Sequence, residues 1–521
     1  MTTLASEFDH DHLVMTLSRY LEARTGQTAH IIKTHISSVI LCGDFAYKLK
    51  RPVKLAFLDF STQESRHEDC EAEWLINQRT APALYLAVEP ITGSVQAPEI
   101  NGSGPAIDWL LRMHRFPQEN LLSERIQSGR LSTEQIDGLA DHLARFHQSL
   151  PSLPEERLTQ FRPTSYWIEE SLQCIAAVTA SKSKAIISSE SAAQMEAVRQ
   201  FAKKETQRLT PAMLARRTQG FFRECHGDLH LANIVELNGQ FVAFDALEFN
   251  DELRSIDVMN DLAFPFMDLM AHQRGDLAWR MISRVVEHNG DYEGLALLRY
   301  YALYRACVRA KVALLSQDHE KFQRYWTLVL NLAKHQARPR LTLVGGLSGS
   351  GKSTAAQMVI ETIGGVRIRS DIERKRLYAE ALGKPELLYS AAANEATYSR
   401  LSSLAQMLLS ASVNVVVDAT FLEQDQVERF ASLMASQEWI AQAIICESTT
   451  TSMQNRIVQR QFVGNDPSDA TSAVLARQIQ KAALPPKWPC HCIRIHNSGT
   501  IADLRAAVES AIRNQPDRSA Y

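Results

Sequence analysis

The stretch Val344-Gly345-Gly346-Leu347-Ser348-Gly349-Ser350-Gly351-Lys352-Ser353-Thr354 constrains this chain more than any other. It satisfies G-x-x-x-x-G-K-[ST], with Gly346, Gly351, Lys352 and Ser353 at the fixed positions. Glycines let the backbone curl until its N–H groups converge on phosphate oxygens, and the helix that follows turns its positive end toward them. Lys352 is expected to reach the β/γ-phosphates and the Ser353 hydroxyl to complete the coordination of Mg²⁺, with Ser348, Gly349, Ser350 and Thr354 as further contacts. A chance match in a chain this long is on the order of two per cent, and the surroundings lower it further. Leu341 to Val344 reads as a buried strand, and Ala355 to Ile363 as a helix stopped by Gly364-Gly365.

With 521 residues the chain has room for two to four domains, and a net charge of −3 with 45% hydrophobic residues is an ordinary soluble profile. That balance argues against a membrane surface or nucleic acid as an obligatory partner. No apolar run is long enough to span a bilayer, and the first residues lack a signal-peptide pattern. The eight cysteines are scattered apart from Cys490-His491-Cys492. With no second ligand pair, reduced cysteines in a cytoplasmic protein are a simpler reading than a zinc site.

Residues 11–25 have the pattern of an amphipathic helix. Ala29 to Leu41 and Phe45 to Lys50 read as strands joined at Cys42-Gly43-Asp44. Alternation puts Lys48 and Lys50 on one face of the second strand. Glu64 to Thr80 reads as a helix with Glu68, Glu71 and Glu73 among its acidic residues. A strand lysine paired with a helix glutamate is how kinase-like folds hold the α/β-phosphates. Leu131 to Leu150 is a strong helix opening at Ser132-Thr133.

Cys225-His226-Gly227-Asp228-Leu229-His230-Leu231-Ala232-Asn233-Ile234 places an Asn five residues after an Asp. This is the spacing of the kinase catalytic loop, where the Asp accepts the substrate hydroxyl proton and the Asn holds Mg²⁺. The strand Phe241 to Phe244 then delivers Asp245 where a second metal-binding carboxylate belongs. The constellation is Lys48, Glu73, Asp228, Asn233 and Asp245.

His226-Gly227-Asp228-Leu229-His230 with Asn233 and Phe244-Asp245 resembles the aminoglycoside phosphotransferase branch of the kinase-like fold. Tyr47-Lys48-Leu49-Lys50-Arg51-Pro52, Phe57-Leu58-Asp59-Phe60-Ser61 and Glu248-Phe249-Asn250-Asp251 resemble more closely a bacterial family that fuses such a domain to a P-loop kinase-like ATP-binding domain. The resemblance implies that Asp228 is the base, that Asn233 and Asp245 bind Mg²⁺, and that Lys48 pairs with Glu73. Lys50 shares the strand face, so the choice of lysine stays open. No G-x-G-x-x-G lies near Lys33 to Val39, and Ala246-Leu247 stand where protein kinases have Phe-Gly. Polycationic antibiotics call for an acidic helical lobe, whereas residues 271–336 carry ten basic against six acidic residues. Asp257 and Asp261 are expected to brace the catalytic loop or cap a helix.

In the second half, Val366 to Ile368 reads as a strand ending in Arg369-Ser370-Asp371. By resemblance, Asp371 activates the acceptor hydroxyl and Arg374 orients it; capping of the following helix is the plainer alternative. Val413 to Val417 delivers Asp418, the expected Walker-B carboxylate for Mg²⁺. Arg456 and Arg460, four apart on a helix face, correspond to the lid arginines of related kinases, with Arg460 taken as the catalytic one.

The expectation is therefore two domains: an α+β kinase-like domain over 1–335, a linker at 336–340, an α/β P-loop domain with a parallel sheet over 341–505, and a tail over 506–521. The function expected is ATP- and Mg²⁺-dependent transfer to a hydroxyl of a small molecule at each of two sites. A nucleotide-sensing regulatory half, or a polynucleotide 5′-hydroxyl kinase in the P-loop half, are the alternatives. The acceptors and the oligomeric state are not legible.

Overall fold

Cys42-Gly43-Asp44-Phe45 is a tight turn because Gly43 takes φ +60°, and it joins two strands of a six-stranded antiparallel sheet. The structure, a computed structural model, describes residues 7–55, 58–181, 189–334, 337–381, 385–463, 470–481 and 487–513. The sheet runs in the order His30–Lys33, Ser37–Cys42, Phe45–Lys50, Asp108–His114, Tyr85–Gly93, Pro98–Ile100. The expected strand Ala29 to Leu41 is thus two strands with a turn between them. Helix Glu7–Thr25 covers part of the sheet, burying Leu13, Val14, Leu17 and Leu21 against Ile40, Leu49, Ile91 and Leu110. Helix Gln63–Asn77, capped by Thr62, carries Glu73 toward the lysine strand. Helix Thr133–Ser149 starts in a capping box of Ser132 and Gln135, and the hairpin Ile234–Leu237/Gln240–Ala243 follows the loop that carries Asp228 and Asn233. These elements, an antiparallel sheet with helices, form an α+β fold.

The second fold is a five-stranded parallel sheet in the order Val366–Arg369, Val415–Asp418, Arg340–Gly345, Ile440–Glu447, His491–His496. Its central strands are apolar because parallel strands are buried on both faces; Leu341, Leu343, Val344, Val415, Val416 and Val417 are all fully buried. Helices Lys352–Ile363 and Ile501–Arg513 close a core of Val344, Ala355, Val359, Val416, Ile444, Leu504 and Val508. The expected boundary at 505 falls inside that last helix, so the domain extends through Arg513. Residues 514–521 of the expected tail, and residues 335–336 at the expected linker, lie outside the described residues.

Compactness divides the chain elsewhere than at the linker. One unit is Met1–Trp167 with Thr210–Asp268, and the other is Ile168–Leu209 with Leu269–Tyr521. Helices Gly275–Asn289, Leu295–Leu315 and His319–Ala333, which the sequence assigns to the kinase-like half, therefore share a unit with the parallel sheet. Helix Gly275–Asn289 lies directly against Lys352–Ile363 and Val366–Arg369.

Candidate active sites

In the first unit the two strand lysines separate by depth. Lys48 Nζ is 2.8 Å from Glu73 Oε1 and 2.6 Å from Asp245 Oδ1, with 12% of its side chain exposed. Lys50 is fully enclosed, at 2.6 Å from both Asp69 Oδ2 and Glu73 Oε2, and also paired with Glu248. Lys48 therefore faces the site, and Lys50 anchors the helix and the segment after Asp245. Burial pulls the Lys48 ammonium down, but Asp245 and Glu73 more than offset it and hold its pKa above the ordinary value. Burial pushes the Glu248 carboxyl up to about 8, against the pull of Lys50.

Asp228 sits on a loop braced from beneath. The amides of His226 and Gly227 donate to the two oxygens of Asp261, at 3.2 and 2.9 Å, and His147 Nε2 meets the same carboxylate at 2.9 Å. Gly227 takes φ +83°, and a Cβ there would lie 3.1 Å from Arg254 Cβ, so the turn favours glycine. His226 Nε2 donates to the Phe244 carbonyl at 2.9 Å while its Nδ1 accepts from the Asp228 amide at 3.3 Å. Both bonds suit a neutral ring, and burial lowers its pKa accordingly. Asp257 takes the other expected role: its Oδ1 accepts from the Met259 amide at 2.9 Å at the start of helix Val258–Ala271, and it also pairs with Arg216 at 2.7 and 2.8 Å.

Asn233 Nδ2 donates to the Asp228 carbonyl and to Asp228 Oδ2, at 3.0 and 3.2 Å. Asp245 holds φ +59°, rare for a side chain of this kind, and its amide donates to Tyr85 Oη at 2.9 Å. Lys48, Glu73 and Asp245 are thus brought into contact, as are Asp228 and Asn233, and Asp228 is close enough to Asp245 for repulsion to raise the latter's pKa. The net pKa of Asp245 is still below the ordinary carboxyl value: burial raises it, and Lys48 holds it down. The oxygen donors Asn233 Oδ1 and the Asp245 carboxylate are the ligand chemistry Mg²⁺ takes.

In the second unit the loop closes as its glycines require. Gly346 takes φ +138°, and a Cβ there would lie 2.4 Å from the Cys446 carbonyl oxygen. Lys352 and Ser353 open the helix Lys352–Ile363, and Thr354 on its first turn is exposed. Burial drives the Asp418 carboxyl up, but Lys352, Arg369 and Arg367, with a hydrogen bond from Ser353, bring its pKa below the ordinary value. Asp418 Oδ2 and Ser350 Oγ are buried with no hydrogen-bond partner, so this pair of Ser353 and Asp418 fits a divalent cation on its chemistry.

Asp371 lies half-buried in the first turn of helix Ser370–Leu377, whose N-cap is Arg369 with no side-chain cap bond, so the capping alternative is not what the structure shows. Arg374 is buried, donates to the Leu388 carbonyl at 3.0 Å and lies over the Tyr389 ring; its guanidinium holds the segment after that helix. Of the two arginines on Thr450–Val463, Arg456 meets the loop, through the Gly349 and Ser350 carbonyls at 3.2 and 3.4 Å. Arg460 instead reaches the Ala470 carbonyl at 3.4 Å.

Two loop contacts escaped sequence reasoning. Asn497 Nδ2 donates to the Ser350 carbonyl at 2.8 Å, and Gln478 Oε1 accepts from the Ser348 amide at 2.9 Å. A cavity of about 270 Å³ opens beside Gly346 and Leu347, walled by Phe421, Met453 and Trp488. Phe421 there holds φ +49°.

Residues 341–485 match a family described as AAA domain. Proteins of Mycobacterium tuberculosis and Mycobacterium bovis, both described as uncharacterized, are 29% identical over 457 residues, covering 85% of this chain and 89% of theirs. Among solved structures, a gluconokinase from Sinorhizobium meliloti aligns with 34% of this chain and 97% of its own, at 14% identity and a TM-score of 0.27. The GDP complex of an aminoglycoside 2′-phosphotransferase aligns with 62% of this chain and 98% of its own, at 12% identity and a TM-score of 0.34.

Proposed function

We propose that the chain is an ATP-dependent phosphotransferase with two nucleotide sites, each passing the γ-phosphoryl group to a hydroxyl of a small molecule. The observation that carries this reading is the double convergence of a lysine with a metal-competent carboxylate: Lys48 with Asp245 in one unit, Lys352 with Asp418 and Ser353 in the other. Phosphoryl transfer asks the protein for positioning and charge neutralisation, and these groups supply both.

At the first site Asp228, with 37% of its side chain exposed, is the group that accepts the acceptor's proton. Asn233 fixes its Oδ2, and Asp261 fixes the backbone on which it stands. Lys48, kept in place by Glu73, would orient the phosphates. At the second, Lys352 and the loop amides hold the phosphates, Asp371 is the candidate base, and Arg456 adds charge at the loop. Asn233 and Asp245 would hold Mg²⁺ in one site and Ser353 and Asp418 in the other, where it would supply neutralising charge to the phosphates. The cavity beside Gly346, about 270 Å³, is near the lower end of the range of small-molecule pockets.

The test is ATP turnover with and without a cell-metabolite extract, for wild type, Asp228→Ala and Lys352→Ala. Extract should stimulate wild type, and each variant should lose only one of the two phosphorylated products. Loss of both products in either variant refutes two independent sites. ATP that binds but is never consumed refutes the enzyme and favours a nucleotide-sensing role.

A further inference from the structure

We propose that helix Gly275–Asn289 is a positioning element of the P-loop site and that Arg367 is the residue through which it acts; this rests on the reading of the loop as a nucleotide site. Arg367 stands on strand Val366–Arg369, next to the P-loop helix. Its Nε and Nη2 take both oxygens of Glu287, at 2.7 and 3.1 Å, while Nη1 donates to the Ser353 carbonyl at 3.0 Å. Its own amide donates to Ser283 Oγ at 3.0 Å. One arginine, through its guanidinium to Glu287 and its main-chain amide to Ser283, therefore ties the residue whose hydroxyl faces Asp418 to a helix far upstream in the chain. The planar fork of arginine can serve both partners at once, which the single ammonium of lysine cannot do with the same geometry.

The helix is itself held rigidly enough to act as a reference. Arg376 Nη2 donates to the Glu287 carbonyl at 2.6 Å, and Arg280 Nη1 meets Glu361 at 2.7 Å. Trp279 is so close to the end of the P-loop helix that a Cβ at Gly364 would lie 2.6 Å from its Nε1. Glu287 is 8% exposed, so the ion pair is shielded from salt and solvent. No group of the proposed reaction needs Glu287 or Ser283. Their contact with the P-loop through Arg367 sets where Ser353 stands, and so how well Ser353 and Asp418 together meet a cation.

The test uses the full chain and three variants: Arg367→Lys, Glu287→Gln, and the double Arg367→Gln/Glu287→Gln, which removes both buried charges together and preserves folding if a single one does not. Binding of a fluorescent ADP is titrated at a series of Mg²⁺ concentrations, and the P-loop component is defined as the one lost in Lys352→Ala. The Mg²⁺ concentration giving half-maximal tightening should rise about tenfold in each variant, while binding without Mg²⁺ stays within about twofold. Amide exchange in the first turn of Lys352–Ile363 should quicken in the nucleotide-free protein. Variants that melt earlier yet keep the wild-type Mg²⁺ dependence overturn the inference and leave Arg367 a structural residue. If Lys352→Ala removes no binding component, the nucleotide site itself is wrong and the inference falls with it.

Discussion

Replacing Lys50 by Met should cost the protein stability rather than chemistry, and the size of the loss follows from its surroundings. The ammonium is fully enclosed, and its three carboxylate partners, Asp69, Glu73 and Glu248, are 8%, 0% and 5% exposed. Methionine fills similar volume but leaves Asp69 and Glu248 without their cation and Glu73 with Lys48 alone. Breaking a buried ion pair from one side costs about 3–5 kcal/mol. At roughly 2–4 °C per kcal/mol for a unit of this size, the melting transition should fall by about 6–20 °C. Lys48→Met is the control. Of its two partners, Asp245 is 42% exposed and can be rehydrated and buried Glu73 keeps Lys50, so the transition should move by only a few degrees while nucleotide binding at the first site is lost. Thermal denaturation by circular dichroism at pH 7, with nucleotide titrations on the same samples, separates the two effects. A Lys50→Met protein melting within about 2 °C of wild type, or a Lys48→Met protein melting earlier than it, would refute the division of labour between the two lysines.

Two further expectations come from single side chains. Glu248 has its pKa raised from 4.5 to about 8 by burial, so between those values the folded state binds more protons than the unfolded one. Its contribution to stability is complete below pH 4.5 and is lost as pH rises through about 8; urea midpoints should fall over that window, and Glu248→Gln should flatten the fall. At the P-loop, Gln478 occupies the Ser348 amide. Removing this competitor with Gln478→Ala should tighten nucleotide binding about 2–10-fold, the worth of one net hydrogen bond; calorimetry showing equal or weaker binding would contradict it.

What could be read from the sequence was whatever a single backbone geometry enforces. Gly346 and Gly351 are legible because only glycine fits their φ and their close neighbours, and the Asp228–Asn233 spacing is legible because one short loop carries both. The choice between Lys48 and Lys50 was not, since alternation puts both on one face and their depth is decided by Glu248, 198 residues away. Arg456 and Arg460 likewise share a helix face, and only the helix's register against the loop tells them apart. Asn497 and Gln478 are lone amides with no motif around them. The strand Ile440–Glu447 hides its identity behind Gln442, a polar residue that is buried because its Nε2 donates to Thr342 Oγ1 at 3.2 Å. Helix Ile501–Arg513 does carry a regular buried face, Leu504, Val508, Ala511 and Ile512, so its extent was legible and the boundary at 505 simply cut across it.

The seating of helix Gly275–Asn289 on the P-loop sheet bears on how such a chain can evolve. A P-loop domain excised at the linker would uncover the flank of Gly364, strand Val366–Arg369 and the charge of Arg367, so recombination at that point would deliver a damaged module. An exchange that keeps the site whole would have to take the upstream helices along. Separation at the linker therefore carries a structural penalty, because a helix upstream of it is a wall of the P-loop module.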